Sequence, residues 1–201
     1  MAGSPKQLVL LFHGVGSSAR DLAPLGEALA PHLPNAAIVS AQAPERSGRG
    51  WQWFSVQGVI EADRPARVAA AMPGFRQTVE QWQQACGVGR AQTTLIAFSQ
   101  GAIMALESTQ LDSPPVARVI ALSGRFAQPP RIAHASVRTH LMHGDNDAVM
   151  PVRGSVDALA QLQGLGAVAT LDRFLGLGHG IDGRVVDVIV SRLNDPLPAA
   201  I

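Results

Sequence analysis

Over most of the chain, apolar runs of strand length alternate with segments whose apolar positions recur at helical spacing. The strand-like runs are Gln7 to Phe12, Ala36 to Ser40, Thr94 to Phe98, Ala117 to Leu122, Arg138 to Met142 and Val168 to Phe174. Their near-continuous apolar character suits strands covered on both faces. Helical spacing predicts helices over Ala19 to Ala30, Arg67 to Gln84, Gln100 to Gln110, Arg153 to Gln163 and Arg184 to Leu193. Ser17 and Ser18 are candidate caps for the first helix, Pro31 and Pro34 end it, and Asp182 caps the last. The pattern predicts an α/β fold: a mostly parallel central sheet of about six or seven strands with helices on both faces. No repeat, low-complexity tract or linker interrupts it, so residues 1–201 are expected to form one domain. The longest irregular stretch runs from Gln42 to Asp63, and long loops in compact domains are often functional.

Composition narrows the function classes. A chain of 201 residues that is 47% hydrophobic can bury a full core. A formal net charge of +1 gives no electrostatic footprint for nucleic acid, and Arg46 and Arg49, set among Ser and Gly, read as a solvated loop. Cys86 is the single cysteine, which excludes an internal disulfide and a cysteine-based metal cluster and fits a reducing cytoplasm. Lys6 followed by the short run Leu8 to Phe12 is too short for a signal core or a membrane span, and no later run approaches spanning length, so no membrane partner is expected. The sequence has no tyrosine, which removes a phenolic oxyanion donor or acid.

The chemistry begins at Ala97-Phe98-Ser99-Gln100-Gly101, where the run Thr94 to Phe98 stops and a helical pattern starts. A strand that turns sharply into a helix holds its corner residue in a strained conformation and lifts the side chain into solvent above the helix N-terminus. The residues two before and two after the corner face the crowded junction and must be Gly or nearly so. Here they are Ala97 and Gly101, and Ala97 departs from the usual Gly-x-Ser-x-Gly pattern by one methyl. On its own the string is equally compatible with Ser99 as a helix cap. Two later segments change that balance. His143-Gly144-Asp145-Asn146-Asp147 follows one strand and Gly178-His179-Gly180 follows another. A serine nucleophile needs a base to take its proton and a carboxylate to fix that base. In an open parallel sheet the strand ends share one rim, where a serine, an aspartate and a histidine remote in sequence converge.

These strings, together with Leu11-Phe12-His13-Gly14-Val15-Gly16, Trp53-Phe54 and Pro151, resemble the α/β-hydrolases along nearly the whole chain. The likeness is closer to the small carboxylesterase and acyl-protein thioesterase branch, near the dienelactone hydrolases, and most of all to a bacterial cytoplasmic esterase. The resemblance implies Ser99 as nucleophile, Asp147 as acid and His179 as base, with the Val15 and Gln100 N–H groups forming an oxyanion hole. Gln100 opens a helix whose dipole favours negative charge, and Gly14 and Gly16 let the backbone at Val15 approach a substrate closely. Asp145 is the rival acid, although its place after Gly144 suits a carboxylate bonding its own turn. Trp51, Trp53 and Phe54 are either a small core of the long loop or a wall of the acyl pocket, and Val149 and Met150, beside the acid, are further candidate substrate contacts.

The expected function is a serine carboxylesterase without cofactor or metal, acting on short to medium acyl esters as a monomer or homodimer. Ser123 to His134 is short and contains Pro129-Pro130, leaving no room for a lid. Three other readings stay open: an acyl-protein thioesterase or lysophospholipase-like enzyme, a non-catalytic binding protein of the same fold, and a metal site built from His13, His143, Asp145 and His179.

Overall fold

The computed structural model describes residues 4–196. Its strands are β1 (Gln7–Phe12), β2 (Ala36–Ala41), β3 (Glu45–Ser47), β4 (Gly50–Gln52), β5 (Thr93–Phe98), β6 (Arg118–Leu122), β7 (Arg138–Gly144) and β8 (Val168–Phe174). The α-helices are α1 (Ala23–Leu29), α2 (Arg64–Cys86), α3 (Gln100–Ser108), α4 (Arg153–Gly164) and α5 (Gly183–Leu193). Six strands form one sheet in the order β2-β1-β5-β6-β7-β8, with every pair parallel. This is the α/β-hydrolase arrangement.

Alternation along each strand divides the interior into two layers. Leu8, Leu10 and Phe12 of β1, with Leu95 and Ala97 of β5, face a core shared with Val68, Met72, Phe75 and Val79 of α2 and Ala158 and Leu162 of α4. Val9, Leu11 and Ile96 face the other way, onto Leu25 and Leu29 of α1 and Val185 and Ile189 of α5. Both faces are therefore covered, which is why the strands read as continuous apolar runs.

Strand boundaries follow the sequence pattern to within a residue or two, and three local departures have physical causes. The segment expected as one helix over Ala19 to Ala30 is a 3₁₀ turn at Ala19–Leu22, then α1, then another 3₁₀ turn at Ala30–His32. Pro24 and Pro31 each sit in a first turn, where the missing N–H costs nothing, and so open new segments. α2 starts at Arg64 rather than Arg67 for the same reason, with Pro65 in its first turn. The stretch Gln42 to Asp63 contains an antiparallel hairpin, β3 paired with β4.

The sheet order reverses at β1. Its sequence neighbour β2 lies on one side and β5 on the other, with Phe12 paired to Ala97. Loops leaving the C-terminal ends of β1 and β5 thus emerge side by side, where open α/β sheets place their sites.

Candidate active site

Ser99 joins β5 to α3 with φ 54° and ψ −115°, a strained conformation for a residue with a side chain. Its N–H donates to the Leu122 carbonyl at 2.9 Å, and its carbonyl accepts the Ile103 N–H at 3.1 Å, fixing the corner from both sides. A Cβ at Gly101 would lie 2.4 Å from the Phe12 carbonyl oxygen and 2.7 Å from that of His13, so a glycine is required where the helix crosses the end of β1. Ala97 is fully buried, and its methyl is a member of the first core layer. The departure from glycine is absorbed by packing.

The two other loops meet at the same place. The His179 Nε2 lies 2.9 Å from the Ser99 Oγ, and the His179 Nδ1 lies 2.8 Å from the Asp147 Oδ2. A hydroxyl donating to Nε2 and an Nδ1–H donating to the carboxylate form one continuous chain. Asp147 Oδ1 accepts the Val149 and Met150 N–H groups at 2.9 Å each. Burial alone would raise the Asp147 pKa, but the hydrogen bonds from Met150, His179 and Val149 outweigh it and hold the carboxyl below its ordinary range. Gly144 lets the acid and histidine loops touch, because a Cβ there would lie 2.2 Å from the Leu177 carbonyl oxygen. The Asn146 N–H donates to that same carbonyl at 3.0 Å.

The rival residues are engaged elsewhere. Asp145 accepts the Gly176 N–H at 2.7 Å and braces a turn. His13 donates from Nδ1 to the Gly14 carbonyl and accepts the Ala43 N–H on Nε2; burial keeps its pKa low. His143 is buried, which lowers its pKa, and it bonds the Ser155 hydroxyl and the Met150 carbonyl, at 2.8 and 2.7 Å. Its Nε2 also lies 3.3 Å from the Asp147 Oδ2, so it supports the acid loop from behind. Among the described residues no cluster of three or more His, Cys, Asp or Glu is arranged to hold a metal ion.

Ser99 and His179 open onto a cleft of about 520 Å³ lined by Gly14, Val15, Ser17, Asp21, Leu22, Phe98, Val149, Gly180 and Ile181. The Gln100 N–H is the first of α3, so no earlier carbonyl of the helix can accept it. Val15, 39% exposed, lies between Gly14 and Gly16, whose φ is +75°. Gly14 approaches so closely that a Cβ there would lie 3.1 Å from the Ser99 Cβ.

Of the candidate substrate contacts, Val149 lines the cleft. Met150 lines a neighbouring cavity with Arg64 and Arg125 instead. Trp53 and Phe54 are core residues, 3% and 2% exposed, and not a cleft wall. Trp53 packs on Phe12 and Phe75 and donates from Nε1 to the His13 carbonyl at 2.8 Å. Trp51 is half-buried beneath Arg46, and its backbone exchanges hydrogen bonds with the loop after β1: Gly16 N–H to Trp51 O and Trp51 N–H to Ser17 O, both 2.8 Å. The Gln100 side chain accepts the Trp53 N–H at 2.8 Å and donates to the Phe54 carbonyl at 2.7 Å. The aromatic stretch thus holds the backbone around Val15 and Gln100 in place from below. The cleft-lining roles of Leu22, Phe98 and Ile181 escaped sequence reasoning, because each reads as an ordinary apolar position.

A family model described as Phospholipase/Carboxylesterase matches residues 2–195. The chain belongs to the phospholipase/carboxylesterase family. It is 44% identical over 195 residues to the esterase YpfH of Escherichia coli K12, covering 96% of this chain and 84% of that one. The crystal structure of esterase PE8 superimposes with a TM-score of 0.87 at 33% identity, covering 96% of this chain and 94% of that one. A carboxylesterase from Mesorhizobium loti shares the fold at a TM-score of 0.81 and 21% identity, over 94% and 89% of the two chains. As a member of this family the protein is a carboxylic ester hydrolase, and a serine mechanism fits the family. No helix of the described residues is long and apolar enough to cross a membrane.

Proposed function

We propose that the protein is a serine carboxylesterase for small, water-accessible esters with short to medium acyl chains, with Ser99, His179 and Asp147 as its triad. One observation carries the reading: the unbroken chain from the Ser99 Oγ through His179 to Asp147 at the floor of an open cleft. The Ser99 Oγ attacks the ester carbonyl as the His179 Nε2 takes its proton, and Asp147 stabilises the imidazolium that results. The oxyanion of the tetrahedral intermediate is held by the Val15 and Gln100 N–H groups, helped by the dipole of α3. Collapse expels the alcohol, which receives the proton from His179, and water then releases the acid by the same steps in reverse roles.

The preference for size rests on the cleft. It lies toward the lower end of the usual ~300–1,000 Å³ for ligand sites. Residues 123–137, between β6 and β7, contain no helix that could act as a lid. We place the enzyme in the cytoplasm, consistent with its single unpaired Cys86. We read the chain as one domain, because all its long strands share one sheet.

The test is kcat/KM against acyl length for p-nitrophenyl esters and matched thioesters, with fluorophosphonate labelling to locate the nucleophile. Turnover should peak at short to medium chains without activation at micelle formation, and labelling should map to Ser99. A maximum at palmitoyl length, or a large preference for thioesters, would replace this reading with an acyl-protein thioesterase. Failure of Ser99 to label would favour a non-catalytic binding protein.

A further inference from the structure

The lining of the cleft carries a charge that the triad does not use. Val15, Leu22, Phe98, Val149 and Ile181 make the cleft largely apolar, and Asp21 is the one carboxylate among its described lining residues, with no Lys or Arg to balance it. Asp182, next to Ile181 in the chain, is already paired with Arg184 at 2.7 Å. Asp21 is held in place by three hydrogen bonds, all to one oxygen. Its Oδ2 accepts the Ser17 hydroxyl at 2.7 Å, the Ser18 N–H at 2.8 Å and the Ser18 hydroxyl at 3.0 Å. Its Oδ1 has no protein donor among the described residues. The Ser17 hydroxyl, followed by the Ser18 bonds, lowers the Asp21 pKa, so the group is ionised throughout the working range of a histidine base. Asp21 is itself exposed, so its charge reaches a ligand in the cleft through solvent-screened surroundings and acts chiefly at short range.

We infer that Asp21 sets the charge preference of the cleft, admitting neutral and cationic esters and disfavouring anionic ones. The inference rests on the ester-hydrolase reading and adds to it the chemical class of substrate. Three butyrate esters with alcohols of similar size separate the effects: butyrylcholine (cationic), 3,3-dimethylbutyl butyrate (neutral) and 3-sulfopropyl butyrate (anionic). For each, kcat/KM of Asp21→Asn is divided by that of the wild type, which cancels intrinsic reactivity. Relative to the neutral ester, the quotient should fall about two- to threefold for the cation and rise about two- to threefold for the anion, as expected for one exposed, solvent-screened charge. In the wild type, the preference for the cation over the anion should shrink as sodium chloride is raised, and this measurement needs no variant. Equal quotients for all three esters would make Asp21 only a brace of its turn, and a salt-independent preference would equally overturn the inference. No wild-type turnover of even the neutral ester would instead remove the hydrolase reading, and this inference with it.

Discussion

Replacing Gln100 by methionine keeps the length of the side chain and the backbone N–H proposed for the oxyanion hole, and removes only the amide. That amide holds two main-chain groups of the long loop, the Trp53 N–H at 2.8 Å and the Phe54 carbonyl at 2.7 Å. Gln100, Trp53 and Phe54 are all 3% exposed or less, so water cannot replace the lost partner without opening the core. A buried group left unsatisfied costs about 1–3 kcal/mol, and two such groups, less the amide desolvation no longer required, give a loss of about 2–4 kcal/mol. A domain of ordinary stability, about 5–15 kcal/mol, survives that loss and can be assayed.

The same change should reach the chemistry, because Trp51, two residues before Trp53, is bonded to Gly16 and Ser17, which follow Val15 in the loop after β1. Loosening it should lower kcat about tenfold with little change in KM, since the oxyanion exists only after attack. Urea unfolding with unchanged slope would measure the first effect and ester turnover the second. Gln100→Glu grades the result. A protonated carboxyl can serve both partners and an ionised one cannot, so the folded-state pKa of the new acid should lie above its unfolded value of about 4.3. Its stability should therefore approach that of the wild type below about pH 4 and fall as pH rises from there. A methionine variant within about 0.5 kcal/mol of the wild type, or a glutamate variant insensitive to pH, would show that the loop stands without this side chain.

Ser99→Ala and His179→Ala should each lower kcat about 10⁴-fold or more, with little further loss when combined, because the residues act as a unit. Steady-state kinetics should show Asp147→Asn severe and Asp145→Asn mild, and the reverse order would reassign the acid. Gly50→Ala should destabilise by about 1–3 kcal/mol and depress kcat, since the added Cβ would lie 2.1 Å from the Gly16 carbonyl oxygen. Gly48→Ala, at the tip of the same hairpin with open space around it, should cost only the strain of its positive φ; equal unfolding midpoints for the two variants would refute the contact. His140 is fully buried, and that burial, followed by the charge of Arg118, lowers its pKa to about 4. The unfolded chain takes up a proton below about pH 6.5 while the native one does not, so about 3 kcal/mol should be lost as pH falls to about 4. Denaturant unfolding of His140→Gln across that window should show a shallower slope, and an unchanged slope would refute the assignment.

The parts of the molecule that could be read from sequence are those in which local pattern and global topology impose the same constraint. β1, β5 and β6 read as apolar runs because helices cover both faces of the sheet. Ser99, Asp147 and His179 could be grouped because each follows a strand, and a parallel sheet brings those ends to one rim whatever the loops do. Trp53 and Phe54 lacked any such constraint. In the sequence they are aromatics in an irregular stretch, and that description fits a pocket wall as well as a core. What decides the matter is tertiary: the Trp53 Nε1 bond to His13 and the Gln100 clamp, each spanning 40 residues or more. β3 and β4, at three residues each, are too short for a period of two to show. Asp21 carries no chemical signal in the sequence; it braces the turn at Ser17 and Ser18, and its place on the cleft follows from how that turn sits against β1 and β2. The reaction is carried by strand ends, whose convergence the topology imposes. The inferred selectivity lies instead in a loop, where one residue can brace a turn and line the cleft, and only the folded chain shows that Asp21 does both.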